Sequence, residues 1–338
     1  MRVLLYINLF FSFISGQEIK SVHLSGEAQG TTWNVTYFHN DNPVSKNDLD
    51  SIFNSIDSSL SVYKPFSTIS RFNNSKRGVK ADEHLKRLVQ TSFQITLETN
   101  GLSDITVAPL IEAWGFLAKQ SSTIPNDREI KDLLQCVGVK YIRLQNDSLI
   151  KEKSCVKIDV NGIAQGYTVD IIANYLEKKG ISDFLVELGG ELRVKGKKQP
   201  DNNPFKVGIE SPSGDDFSTP PMQKIIILNT GAITTSGNYR KFHENKGKKY
   251  SHIIDPRTGK SVDNEMISAT VFAKDATTAD AYDNALMLMG MERALRYIEE
   301  RPDMAAFIIY KNKNGAIADT ASTRFQKLIQ VKQSEKSK

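Results

Sequence analysis

Residues 267–289 read Ile267-Ser-Ala-Thr-Val-Phe272-Ala-Lys-Asp275-Ala-Thr-Thr-Ala-Asp280-Ala-Tyr-Asp283-Asn284-Ala-Leu-Met-Leu-Met289, and the pattern changes in the middle. The run 267–272 predicts a strand, and 275–289 predicts a long helix. Working back from this pair, strands dominate: 184–188, 192–194, 205–209, 225–228, 232–235 and 250–254. Beyond it lie a helix over 292–299 and a strand over 305–310. The first half is mostly helical. Ser45 with Asp48 is a capping signal ahead of Leu49, Ile52, Phe53, Ile56 and Leu60 at 3, 4 and 7 spacing. A second helix covers 82–99 and stops at Asn100-Gly101. Shorter helices are expected over 127–136 and 164–179, strands over 141–144 and 156–160, and a strand over 22–38 ended by a turn at 39–43. Residues 61–74 have no clean period and read as a loop. Runs of strands beside runs of helices, without a regular βαβ repeat, argue an α+β fold.

The chain has 338 residues, 39% apolar and 25% charged, which excludes a disordered or fibrous protein and suits one compact, enzyme-sized body. The net charge of +5 is spread along the chain, so no nucleic-acid partner is expected, while an anionic small molecule is compatible. Residues 1–16 have a positive start, an apolar stretch and small residues at the end, which predicts a signal peptide. The stretch is shorter than the roughly 20 residues a membrane span needs. The body, 17–330, is therefore expected to be exported and soluble, periplasmic or otherwise extracytoplasmic, with no transmembrane span and a frayed tail at 331–338. Cys136 and Cys155, 19 positions apart, form one disulfide or remain two thiols; spacing does not decide.

Three clusters carry chemistry. Asp280, Asp283 and Asn284 stand at i, i+3 and i+4, which puts three oxygen-bearing side chains on one helix face. Hard oxygen donors suit Mg²⁺ or Ca²⁺ rather than zinc, although taken alone the trio fits a solvated polar face better. The segment Lys157-Ile-Asp159-Val-Asn-Gly162-Ile-Ala-Gln165-Gly-Tyr167 enters a helix through a glycine turn, where free N–H groups can receive phosphate or the glycine merely makes the turn. Its spacing fits neither the P-loop nor the dinucleotide fingerprint. His252 closes a strand ahead of Asp255-Pro-Arg-Thr-Gly259, as a general base or as an imidazole bonded to nearby backbone.

Taken in order, eight segments resemble the FAD:protein FMN transferase family, the ApbE-like flavin transferases. They are Gly30-Thr-Thr-Trp-Asn-Val-Thr-Tyr, Tyr63-Lys-Pro-Phe-Ser-Thr-Ile-Ser-Arg-Phe-Asn, Asp104-Ile-Thr-Val-Ala-Pro-Leu, Trp114-Gly-Phe, Asp159-Val-Asn-Gly-Ile-Ala-Gln-Gly-Tyr, Leu188-Gly-Gly-Glu, His252-Ile-Ile-Asp-Pro-Arg-Thr-Gly and Ala279-Asp-Ala-Tyr-Asp-Asn-Ala. The resemblance implies an α+β fold with T-fold-related mixed sheets. It also implies Mg²⁺-dependent transfer of the FMN half of FAD onto a Thr or Ser of an exported protein, with AMP released. It assigns the metal to Gly162, Asp280, Asp283 and Asn284. FAD falls to Gln29, Tyr63, Leu102, Ser103, Asp104, Asp159, Gln165 and Ile254, and the base to His252. In that scheme Asp280 and the cation it holds stabilise the reacting pyrophosphate, and Tyr63 packs on a flat ring. Three positions depart from the family pattern: Gln165 where Lys is frequent, Gln29 where Met is usual, and Asn284 where Thr or Ser is usual. The alternatives are an FAD pyrophosphatase, with water in place of the acceptor, and a non-catalytic FAD-binding protein.

Overall fold

The computed structural model describes residues 19–117, 124–212, 222–238, 242–245 and 248–329; the expected leader at 1–16 and tail at 331–338 lie outside the described residues. The stretch expected as one strand and a turn is a hairpin, β1 (Lys20–Ala28) and β2 (Thr31–His39). Gln29 and Gly30 join them with φ of 52° and 76°, left-handed at both positions, which matches the twist of a two-residue hairpin loop. Helix α1 (Lys46–Leu60) starts at Ser45, and both arms of the Ser45/Asp48 capping box are made.

Where a loop was expected there is a short helix, α2 (Thr68–Asn74), capped by the Ser67 side chain. At seven residues it is too short to display a period, and it is fixed by burial of Ile69 and Phe72. Then come β3 (Gly78–Lys80), α3 (Glu83–Glu98) capped by Asp82, α4 (Ala108–Ala113), α5 (Asp127–Leu134), β4 (Ile142–Gln145) and β5 (Ser148–Lys151). The strand expected over 156–160 joins no sheet. Ile158 pairs instead with a side chain: the Asn73 amide donates to the Ile158 carbonyl (2.8 Å) and accepts from its N–H (2.8 Å).

The second half runs α6 (Asn161–Lys178), β6 (Asp183–Leu188), β7 (Glu191–Lys195), β8 (Phe205–Glu210), β9 (Met222–Leu228), β10 (Thr230–Gly237), β11 (Phe242–Asn245), β12 (Lys248–Ser251), β13 (Met266–Ala273), α7 (Ala276–Met289), α8 (Met291–Glu299), β14 (Ala305–Lys311), β15 (Ile317–Ala321) and α9 (Thr323–Gln326). Among the described residues the main sheet has eight strands in the order β1-β2-β6-β7-β10-β13-β14-β15, each pair antiparallel. The order rises along the chain, so the sheet is a meander, and apart from α9, which follows β15, the other elements are inserted between its strands.

Alternate residues face opposite layers, as the pleat dictates. Trp33, Val35 and Tyr37 of β2 pack with Val169, Ile172 and Leu176 of α6, while Phe38 joins Phe205, Val207 and Ile226 of β8 and β9 on the other side. In β14, Ala306 and Ile308 face the helical core and Phe307 and Ile309 the β8–β9 layer. Full burial of each such large side chain stabilises the fold by roughly 1.5–3 kcal/mol. Cys136 and Cys155 are joined in a disulfide, with Cα atoms 5.6 Å apart, which ties the end of α5 to the segment leading into α6. No helix among the described residues is long and apolar enough to cross a membrane.

Candidate functional site

Helix α7 settles the first cluster. It is buried on nearly every side, with Ala279, Ala281, Tyr282, Ala285, Leu286 and Met287 all in the core. Asp280 is 4% exposed and Asp283 1%, so the trio is not a solvated face. Burial raises both carboxyls above the usual carboxylate range, Asp280 further through the charge of Asp170 and Asp283 through those of Asp280 and Glu191. The Gly166 N–H donates to Asp280 Oδ2 (2.8 Å) and offsets part of this. Asp283 Oδ1 is buried without a hydrogen-bond partner, and so is the Thr234 hydroxyl. An unsatisfied buried carboxylate oxygen beside a second acid is expensive, and a cation would relieve it.

The partner surface is the start of α6. Gly162 leaves helical geometry (φ −84°, ψ 17°) and kinks the helix, and a Cβ there would lie 3.0 Å from Asn284 Nδ2. At Gly166 a Cβ would sit 2.3 Å from the Ala276 carbonyl oxygen, so only glycine lets α6 approach α7 this closely. Asp170, one turn further along α6, caps the start of α7: its oxygens accept from the N–H groups of Ala276 (3.0 Å) and Thr277 (2.8 Å) and from Arg193 (3.0 Å). Asn284 Oδ1 accepts from Ser236 (2.8 Å).

Two carboxylates and one amide oxygen are the side-chain oxygen donors this face can offer. Among the described residues no cluster of three or more His, Cys, Asp or Glu could hold a metal by itself. Such a partial set fits Mg²⁺, which commonly takes one or two carboxylates and completes its shell with water and substrate phosphate.

The remaining predicted residues are each held by their own neighbours. Gln165 Nε2 lies 2.9 Å from where a Cβ on Gly189 would stand, beside Thr31. Gln29 donates through Nε2 to Thr168 (3.0 Å), one turn along α6 from Gln165. Asp159 Oδ1 accepts from the Asn161 N–H (2.8 Å), and the Asp159 N–H donates to the Ile105 carbonyl (2.7 Å), which joins the entry to α6 to the turn at 102–104. In that turn Leu102 is in the core and the Ser103 N–H bonds Thr99 (3.1 Å). Asp104 accepts from the Thr106 N–H and hydroxyl (2.8 and 2.6 Å) and the Val139 N–H (3.1 Å); burial raises its carboxyl, and these bonds offset part of that. Its carboxylate is committed to shaping the turn. A ligand would meet the backbone here.

Tyr63 is 59% exposed, yet burial at its hydroxyl and the charge of Asp159 raise that hydroxyl above the usual range. Its hydroxyl accepts from the Asn161 side-chain amide (3.5 Å). Ile254 turns its side chain into a cluster with Leu110, Trp114 and Ile130, so only its backbone is free to face a ligand. His252 is half-buried with its ring edge-on to Phe116, centroids 6.2 Å apart.

Asp170, Asn73, Glu191, Phe116 and His243 escaped the sequence reading as site residues. The usable signal was an acid among apolar neighbours (Asp170) or a polar residue in an aromatic motif (Asn73).

These features match known proteins. A profile of the ApbE family covers residues 29–308. A relative named FAD:protein FMN transferase, from Vibrio cholerae, is 33% identical, with 92% of this chain and 93% of that protein aligned. Another of that name, from Escherichia coli, is 33% identical over 85% and 84%. Two solved structures superimpose closely. Flavin transferase ApbE from V. cholerae has a TM-score of 0.81 at 32% identity, covering 92% of this chain and all of that one. The apo form of Pseudomonas stutzeri flavinyl transferase ApbE has 0.82 at 30%, covering 92% and 97%.

Proposed function

The chain belongs to the ApbE family, and from that premise we propose that it moves the FMN moiety of FAD onto a Thr or Ser hydroxyl of a protein and releases AMP. What carries the reading within this chain is the buried pair Asp280 and Asp283, one oxygen of which lacks a partner, set against the kinked start of α6. Asp280, Asp283, Asn284 and the Gly162 carbonyl would hold Mg²⁺, which when bound neutralises pyrophosphate charge.

His252 takes the proton from the acceptor hydroxyl. That oxygen forms a bond to the FMN-side phosphorus, the P–O bond to the AMP phosphate breaks, and AMP leaves with the electron pair. A base in this position contributes roughly 10²–10⁴-fold. Tyr63 offers its open ring to a flat part of FAD, and Gln29, Gln165, Asp159, Ile254 and the 102–104 turn line the rest. Export is supported by the leader pattern and by the disulfide, which persists in oxidising compartments; the acceptor is then an exported protein.

The test is mass spectrometry of an exported acceptor domain incubated with the protein, FAD and Mg²⁺, beside a chelator control. An FMN adduct that disappears with chelator is expected. Unmodified acceptor with free FMN and AMP would replace this reading with an FAD pyrophosphatase, and tightly bound, intact FAD would replace it with a binding protein.

A further inference from the structure

We propose that the Cys136–Cys155 disulfide is a redox site that sets the affinity for FAD and is opened by a dithiol. The inference deepens the transferase reading above and rests on it, since there the 102–104 turn and Asp159 line FAD. Cys136 follows α5, and Cys155 precedes the segment that enters α6. Between them lies the β4–β5 hairpin, extended by one rung in which the Glu152 N–H donates to the Tyr141 carbonyl (2.9 Å). Past that rung the two chains are tied by the disulfide and by Lys153, whose ammonium donates to the Gln135 carbonyl (2.7 Å).

Both chains then reach the same turn. Just after Cys136, the Gly138 N–H donates to the Thr106 hydroxyl (2.6 Å) and the Val139 N–H to Asp104 Oδ2 (3.1 Å). Shortly after Cys155, the Asp159 N–H donates to the Ile105 carbonyl (2.7 Å). The turn at 104–106 is gripped from two sides, and the disulfide fixes how far apart the grips stand. They are not equally secure. The 156–160 side is also held by Asn73 at Ile158 and by Lys151, which donates to the Val156 carbonyl (2.7 Å). The Gly138–Val139 side is therefore the one that gives when the bond opens. Asp104 is buried, so losing the Val139 bond removes part of what satisfies its carboxylate and loosens the turn.

A reagent can reach this bond. Cys155 is exposed and Cys136 half-buried, and exposed disulfides are the labile ones. The bond touches no strand of the main sheet, so the fold does not depend on it. One thiolate of the dithiol attacks the Cys155 sulfur, the S–S bond breaks, and Cys136 leaves as a thiolate and takes a proton. The second thiol of the dithiol then displaces Cys155, which takes another proton. Two electrons pass to the protein, and the dithiol departs as its own disulfide. The chain has two cysteines, so a dithiol has one target.

The experiment titrates FAD, by flavin fluorescence with and without Mg²⁺, into the oxidised full-length protein, the protein reduced with dithiothreitol, and the Cys136→Ser/Cys155→Ser double variant. If the FAD-binding arrangement falls to about one-tenth of the folded molecules, Kd rises about tenfold. That rise is expected on reduction, with the double variant matching the reduced protein and indifferent to dithiothreitol. A local readout needs no flavin. Amide hydrogen exchange at Gly138 and Val139 should quicken on reduction, while Ile158, bonded to Asn73, keeps its protection.

An unchanged Kd in protein whose mass shows two free thiols would overturn the proposal. So would unmoved exchange at Gly138 and Val139, a bond that dithiothreitol leaves intact in the native protein, or unfolding on reduction, which would make the bond a support of the whole fold. Oxidised protein that binds no FAD would bring down the transferase reading itself, and this site with it.

Discussion

Asp283→Asn should make the metal-free protein more stable while abolishing its chemistry. Asp283 is 1% exposed, its Oδ1 has no hydrogen-bond partner, and Asp280 and Glu191 push its carboxyl up on top of the effect of burial. The sign follows from linkage. A carboxyl whose folded value is raised keeps its proton in the native state while the unfolded chain releases it, so native stability is fully present below the unfolded value of 3.8 and is lost as pH rises towards the folded one. An amide carries no charge to bury but leaves a polar group imperfectly satisfied, at about 1–3 kcal/mol. An uncompensated buried charge costs several kcal/mol. The difference favours Asn by roughly 1–3 kcal/mol at pH 8. For a body of about 300 residues the unfolding entropy is near 0.6 kcal/mol/K, so Tm should rise by about 2–5 °C. The assay is calorimetry in EDTA at pH 8 and again near pH 4.5, where the gain should shrink because wild-type Asp283 holds its proton. Adding Mg²⁺ at about 100 times its Kd should raise wild type by about 2.7 kcal/mol and leave the variant unmoved. A variant less stable than wild type at pH 8 in EDTA would refute the reasoning, since it would mean that the carboxylate is already satisfied in the empty protein.

Three further outcomes are expected. Asn73→Ala removes both hydrogen bonds to Ile158 and should lower urea-unfolding stability by about 2–3 kcal/mol, while raising KM for FAD because Asp159 is next in the chain. Cys136→Ser opens a loop of 19 residues and should lower stability by about 3 kcal/mol, with wild type falling to the same value in reductant. Gln165→Lys restores a cation beside Thr31 and Gly189 and should tighten FAD binding severalfold, by about 1 kcal/mol at low salt and less as salt screens it; isothermal titration at two ionic strengths would check this.

How much of this was legible in the sequence depended on whether a feature is written locally. The capping box at Ser45 and Asp48, the helix from Asp82 onward, and α7 were readable because periodicity and caps lie within a few residues of one another. The helix α2 and the unpaired segment at 156–160 differ from the sequence reading for one shared reason. The seven-residue helix is fixed by its buried face, and Asn73 at its end then supplies the hydrogen bonds that a neighbouring strand would have given Ile158. Neither half of that arrangement makes sense without the other, and 85 residues separate them.

The same distinction governs the site. Spacing alone put Asp280, Asp283 and Asn284 on one face, but it could not say whether that face met water. The answer lies in the residues around them: α7 is alanine-rich, Gly166 lets the backbone of α6 come within a side chain's reach, and Asp170 on α6 caps the first turn of α7. Small residues and a cross-helix cap bring two helices close enough to exclude solvent, and exclusion of solvent turns a pair of ordinary aspartates into two carboxyls held above the usual carboxylate range. Burial, rather than the identity of the acids, makes the chemistry, and it is a property of the packed pair α6 and α7 that neither segment carries by itself.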